Sequence, residues 1–160
     1  RVATSNSSLI ARNITSRGAT ASFRNEGGDI KIFGISGDIN VKNSYGRTEI
    51  DEFEATGTKS YVRSDNGPVE LSVTKVGKGQ LIVTNRFEDI EISLPSNVSA
   101  EFSLAVEEEG KIEVYNFPFE PDLVTRNRLG LVAGDGEALI SGSVRGKGNV
   151  YVRGYDPEDF

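Results

Sequence analysis

Asp51, Glu52 and Glu54 place three carboxylates within four residues, and Glu107, Glu108 and Glu109 form a second acidic run. Carboxylate chemistry is what remains open, because the chain has no histidine and no cysteine. Ser–His, Cys–His and histidine–zinc sites are therefore excluded. Acid–base cleavage of a glycoside needs two carboxyl groups facing each other across a cleft. Carboxylates adjacent in sequence more often make a solvated corner, and the central segments are too short to wall a substrate groove. A polysaccharide lyase or hydrolase is accordingly the third of three readings, and it predicts an activity lost when Asp51, Glu52 and Glu54 are neutralised together. The same three residues, with Tyr45 and Tyr61 as aromatic surfaces for a glycan or protein, make the candidate partner surface. No catalytic, cofactor-binding or metal-binding residue is assigned. Gly134-Asp-Gly136 followed by Glu137 reads as a plain turn, since calcium takes six to eight oxygen ligands.

The elements that carry these residues are set by a repeat. A polar anchor recurs at Asn25, Asn43, Ser64, Asn85 and Glu108, at spacings of 18, 21, 21 and 23 residues. Four and two places before the anchors stand Ala21/Phe23, Ile39/Val41, Ser60/Val62, Leu81/Val83 and Leu104/Val106. After them come Ile30/Ile32, Thr48/Ile50, Val69/Leu71, Ile90/Ile92 and Ile112/Val114. Alternation of period two, bounded by Gly, Asn, Asp and Pro, is the signature of short half-buried strands. A recurring unit of this length must stack on its neighbours to bury its apolar face. The expected fold is therefore all-β, a single-stranded β-helix (β-solenoid) with coils of roughly 20 residues and irregular end caps. A third apolar position at Ile35, Ala55, Val76 and Val98, with glycines at Gly37, Gly57 and Gly77, completes a three-sided coil.

The spacing divides one domain, 1–160, into a degenerate first coil at 1–18, with Asn6 as its anchor, and regular coils at 19–114. A capping segment follows at 115–136, where Phe117, Phe119 and Leu123 could cover a coil end, and then closing strands at 137–154. The best helical candidate is 119–126, limited to a turn or two by Pro118 and Pro121. The anchors should form a column of stacked corners, their side chains bonding turn backbone, with Glu108 ending the ladder where the corner meets water.

Net charge is −6, from 18 basic and 24 acidic residues. The nearest approach to a basic cluster in the sequence is Arg145 and Lys147, so no nucleic-acid or anionic-membrane footprint is expected. No apolar run is long enough to span a membrane. The chain opens at Arg1 and has no methionine, which points to an excised piece whose targeting segment would lie upstream.

The phrases Gly28-Asp-Ile-Lys-Ile32, Ile35-Ser-Gly-Asp-Ile39, Val62-Arg-Ser-Asp-Asn-Gly67 and Leu94-Pro-Ser-Asn-Val-Ser-Ala-Glu-Phe102 resemble the bacterial putative-adhesin family of single-stranded β-helix domains. The resemblance covers about 25–154. It implies a β-helix fold and an extracytoplasmic place at the bacterial cell envelope or surface, with no catalytic residues to carry over. The leading expectation is a non-catalytic envelope module binding a protein or glycan partner. The alternative is a self-assembling structural scaffold, which the capping segment disfavours.

Overall fold

The computed structural model describes residues 1–107, 109–118 and 120–159. Its described residues contain strands and one short 3-10 turn, Pro157–Asp159, and no α-helix. The strands are β1 (Val2–Thr4), β2 (Leu9–Asn25), β3 (Ile30–Tyr45), β4 (Thr48–Ala55), β5 (Lys59–Asn66), β6 (Val69–Val76) and β7 (Gln80–Asn85). They continue as β8 (Ile90–Pro95), β9 (Ala100–Val106), β10 (Ile112–Tyr115), β11 (Glu120–Val124), β12 (Arg128–Ala133), β13 (Ala138–Val144) and β14 (Val150–Tyr155). All fourteen belong to one curled, mostly parallel sheet.

The sheet bends around β3. The first half of β3 pairs with β4, and the path runs on through β6, β8 and β14 to β10. The second half of β3 pairs with β5, and that limb runs through β7, β13 and β9 to the antiparallel pair β12–β11. The two limbs share one core. Ile39, Val41, Leu81 and Val83 on one limb and Ile90 and Ile92 on the other are at most 2% exposed. Where the limbs meet, a Cβ on Gly142 would lie 3.3 Å from both Leu104 and Val150, so this inward position has little room for a side chain. The sequence reading did not single out Phe53, a fully buried residue that stands beside Ile35 where Ala55 was expected. One offset holds between β3 and β4 from Ile30 and Thr48 to Ser36 and Glu54, which sets Phe53 beside Ile35, and the bulge at 51–53 falls between β4 and β6.

The polar column forms. Asn25, Asn43, Ser64 and Asn85 are register partners on β2, β3, β5 and β7, and all are buried. Their side chains bond the carbonyls of the following turn or of the turn below. Asn25 Nδ2 donates to Ser7 O at 2.8 Å, Ser64 Oγ to Gly67 O at 2.9 Å, and Asn85 Nδ2 to Gly67 O at 2.9 Å. Asn43 Nδ2 faces the carbonyls of Gly28, Gly46 and Arg47. The turn beside it is tight: Gly46 has φ 96°, and a Cβ there would fall 2.5 Å from Gly28 O.

Both ends of the column differ from expectation, in the same way. Val144 and then Val106 continue the column beyond Asn85, so the strand before Glu108 is displaced by two residues. Glu108 itself lies outside the described residues. At the other end Thr4, not Asn6, aligns with Asn25. A slip of two preserves which side chains point inward, and apolar patterning cannot detect it.

The end segments also take other forms. Residues 119–126 were the helical candidate, yet Glu120–Val124 is strand β11, running antiparallel to β12. Two prolines and neighbouring β-branched residues suit an edge strand better than a helix. Phe117 packs edge-on against Phe102 with centroids 5.6 Å apart, whereas Leu123 is exposed and Phe119 lies outside the described residues. The strands of 137–154 do not close the end. Strand β13 lies between β7 and β9, and β14 lies between β8 and β10. The last strands are thus inserted within the stack.

Candidate partner surface

Inward residues alternate with outward ones, so each limb presents straight columns of exposed side chains at about 4.8 Å per strand. On the β4 limb one column reads Lys31, Glu49, Glu70, Glu91, Tyr151 and Glu113. Each of its three successive carboxylates has a cation: Lys31 at 3.1 Å from Glu49, Arg47 at 3.3 Å from Glu70, and Arg153 at 3.6 Å from Glu91. Tyr115 donates to Glu113, and this bond holds its hydroxyl above the ordinary tyrosine pKa.

Asp51, Glu52 and Glu54 sit on β4 on this limb. Asp51 Oδ1 accepts the Glu52 N–H at 3.0 Å and supports Glu52 in a left-handed conformation, φ 52°. Asp51 also faces Tyr155, whose hydroxyl donates to Val73 O at 2.7 Å. Burial, and secondarily the Asp51 charge, pushes the Tyr155 hydroxyl above its usual range. Glu54 is exposed beside Lys75 in the next strand. Among the described residues no cluster of three or more acidic side chains could hold a metal ion. In the turn at Gly134 and Gly136, the N–H groups of Asp135 and Glu137 both donate to Ser99 Oγ.

Tyr61 belongs to the other limb, on β5, with the Lys59 ammonium 5.1 Å from its ring centroid. Tyr45 ends β3 and is 60% exposed. The fold therefore gives the two tyrosines and the three carboxylates to different elements, Tyr61 and the acids to different limbs.

The β5 limb carries an arrangement that the sequence reading missed. Arg24, Lys42 and Arg63 are register partners on β2, β3 and β5. The next two strands continue the file one row over, with Arg86 after β7 and Arg145 after β13. Five successive strands thus each contribute one cation. Arg24 is paired with Glu26 at 2.9 Å and Arg63 with Asp65 at 3.2 Å. Among the described residues Lys42, Arg86 and Arg145 have no ion-pair partner, and Arg86 lies over the Phe87 ring at 5.1 Å. A shallow depression of about 390 Å³ opens between Arg63, Thr84, Arg86, Ser143 and Arg145. A second, of about 280 Å³, opens between Arg24, Asn40 and Lys42. The signal was present in the sequence: the residue just before the anchor is Arg24, Lys42 and Arg63 in three successive copies.

The largest of the surface depressions described here, about 710 Å³, follows the glycine-rich corner at Gly18, Gly37, Gly57 and Gly79. Its charged groups are already engaged. Asp38 accepts from Lys59 N at 2.7 Å and from Thr58 Oγ1 at 3.0 Å, while Lys78 pairs with Glu137 at 2.9 Å. Comparison with protein-family profiles, curated proteins and solved structures returned no match.

Proposed function

We propose that this chain is a non-catalytic β-solenoid module of a bacterial cell-envelope protein, presenting rigid side-chain columns to a protein or glycan partner. The observation that carries this reading is the straight outward columns, fixed in register by parallel pairing and backed by one continuous core. Such a surface holds its contact groups at set intervals, so a repetitive partner is bound with little ordering cost. The likeness of the Gly-Asp-Ile and Leu-Pro-Ser-Asn-Val phrases to the putative-adhesin family supports the envelope setting. A glycan array and envelope-protein pull-downs, run on protein shown to be folded by circular dichroism, test it. A specific partner is expected, and silence in both screens would sink the reading.

A second reading, end-to-end self-association, has one observation in its favour. Among the described residues, only Phe23, Arg24 and Asn25 of β2 pair on their outer side, with β1, which leaves most of that strand an open edge over the partly buried Ala11 and Ile14. Sedimentation velocity showing growth beyond a dimer with rising concentration would promote this reading above the first.

A further inference from the structure

We infer that the cation file on the β5 limb is a binding groove for a linear acidic polysaccharide bearing one anionic group on each sugar residue. The inference rests on the glycan branch of the proposed function and names the class of glycan.

Arg24, Lys42 and Arg63 share one row on three successive strands, and Arg86 and Arg145 follow the ends of β7 and β13 two residues further along. The cations therefore advance across the sheet by one strand spacing of about 4.8 Å each, with one sideways step between Arg63 and Arg86. That interval is close to the advance of one sugar residue in an extended polysaccharide. A chain lying across the strands would meet one cation per residue. Guanidinium forks suit carboxylates, to which they donate paired hydrogen bonds. Three of the five cations lack an ionic partner among the described residues, so binding need not break an existing pair.

The groups between the cations point to a sugar in preference to another polyanion. Ser22, Asn40, Thr84 and Ser143 project from the same face and line the two depressions, offering hydroxyl and amide partners to sugar hydroxyls. Glu26 and Asp65 sit within the file, each bonded to its own arginine. They can accept hydrogen bonds from sugar hydroxyls, which a phosphodiester backbone of DNA does not offer. The whole molecule is at −6 and carries a glutamate column on its other limb, so a broad anionic membrane surface is repelled while a narrow strand can reach the file.

The test measures binding of the intact chain to polygalacturonate by titration calorimetry. Neutral dextran, an oligothymidylate and phosphatidylglycerol-containing vesicles serve as alternatives. Polygalacturonate should bind, dextran should not, and affinity should fall as salt rises. The R63Q/R86Q/R145Q variant should lose at least tenfold in affinity, while R47Q/R153Q on the opposite limb should bind as the parent does. If the triple variant folds poorly, T84R/S143R supplies the second reading. It adds two cations on half-buried outward positions and should tighten binding severalfold. Equal binding by the triple variant, no gain in T84R/S143R, or tighter binding of the oligonucleotide or vesicles overturns the inference. If polygalacturonate fails while the array or pull-down yields a neutral glycan or a protein, this inference falls and the proposed function stands.

Discussion

Asn43 shows how much one corner residue holds. Its Nδ2 faces three carbonyls, from Gly28 at 3.2 Å, Gly46 at 3.1 Å and Arg47 at 3.3 Å, with the residue fully buried. Asn43→Leu should destabilise by about 1–3 kcal/mol despite adding apolar surface, because it strands buried acceptors. Chemical denaturation checks this, and an unchanged midpoint would remove the ladder's energetic role. Thr48 is the opposite case. It stands among Ile30, Val69 and Ile90 in an inward column, and its Oγ1 is buried without a hydrogen-bond partner. Thr48→Val should therefore raise stability by about 1 kcal/mol, read as a shift of the same midpoint. Tyr155 sets a pH dependence. Its folded pKa is raised, so the neutral form persists in the fold after the unfolded chain has begun to ionise. Its contribution is complete below the unfolded pKa of about 10 and is lost as pH climbs through the folded value. Tyr155→Phe should flatten the decline in melting temperature above pH 10, at a cost of about 1 kcal/mol near neutrality from the lost bond to Val73. An equally steep alkaline decline in the variant would assign that sensitivity elsewhere, for instance to Tyr115 or Tyr151.

Among the elements, the strands of the central stack were legible because the inward pairs repeat at nearly constant spacing and the residues between them are mostly polar, Ile82 being an exception. Ile39, Val41, Leu81, Val83, Ile90 and Ile92 are buried as that alternation demands, and Lys31, Asn40, Lys42, Glu70 and Glu91 point outward. The ends were not legible, for two physical reasons. Period-two alternation cannot distinguish registers two residues apart, so Asn6 and Glu108 looked like anchors. Nor does it say which strand pairs with which, so the place of β13 and β14 inside the stack left no mark. The cation file was half legible, as the residue before the anchor, but its last two members moved to another row. Strand insertion has a direct consequence. A chain ending after Ala133 lacks both partners that join β9 and β10 to the rest. In that truncation, strands β3 to β6 should keep amide protection while residues 100–133 lose it, as hydrogen exchange would show. Protection throughout would mean that β9 can pair with β7 directly.

At the scale of the molecule, parallel pairing makes contacts non-local. In the central stack the partners of a strand lie about one repeat away, and the inserted strands reach further, β14 from Val150 to Ile90 and β13 from Ile140 to Leu81. Such topologies fold slowly, because loop closure is paid before the pairing that rewards it. Stopped-flow refolding should therefore run in milliseconds to seconds, and microsecond refolding would contradict the non-local topology. The charge is also unevenly arranged, with a glutamate column and the Asp51, Glu52 and Glu54 run on one limb and the cation file on the other, beneath a total of −6. The inserted strands finally bear on how the protein is made. As the chain leaves the ribosome, each repeat up to Pro95 can settle on the one before it. The stretch from Ala100 to Ala133 cannot, since its place lies one layer further out than the layer then present. It must wait as a nascent antiparallel flap of β9, β12 and β11 until later residues are translated and slide in beneath it, like the last course of a wall laid under its coping.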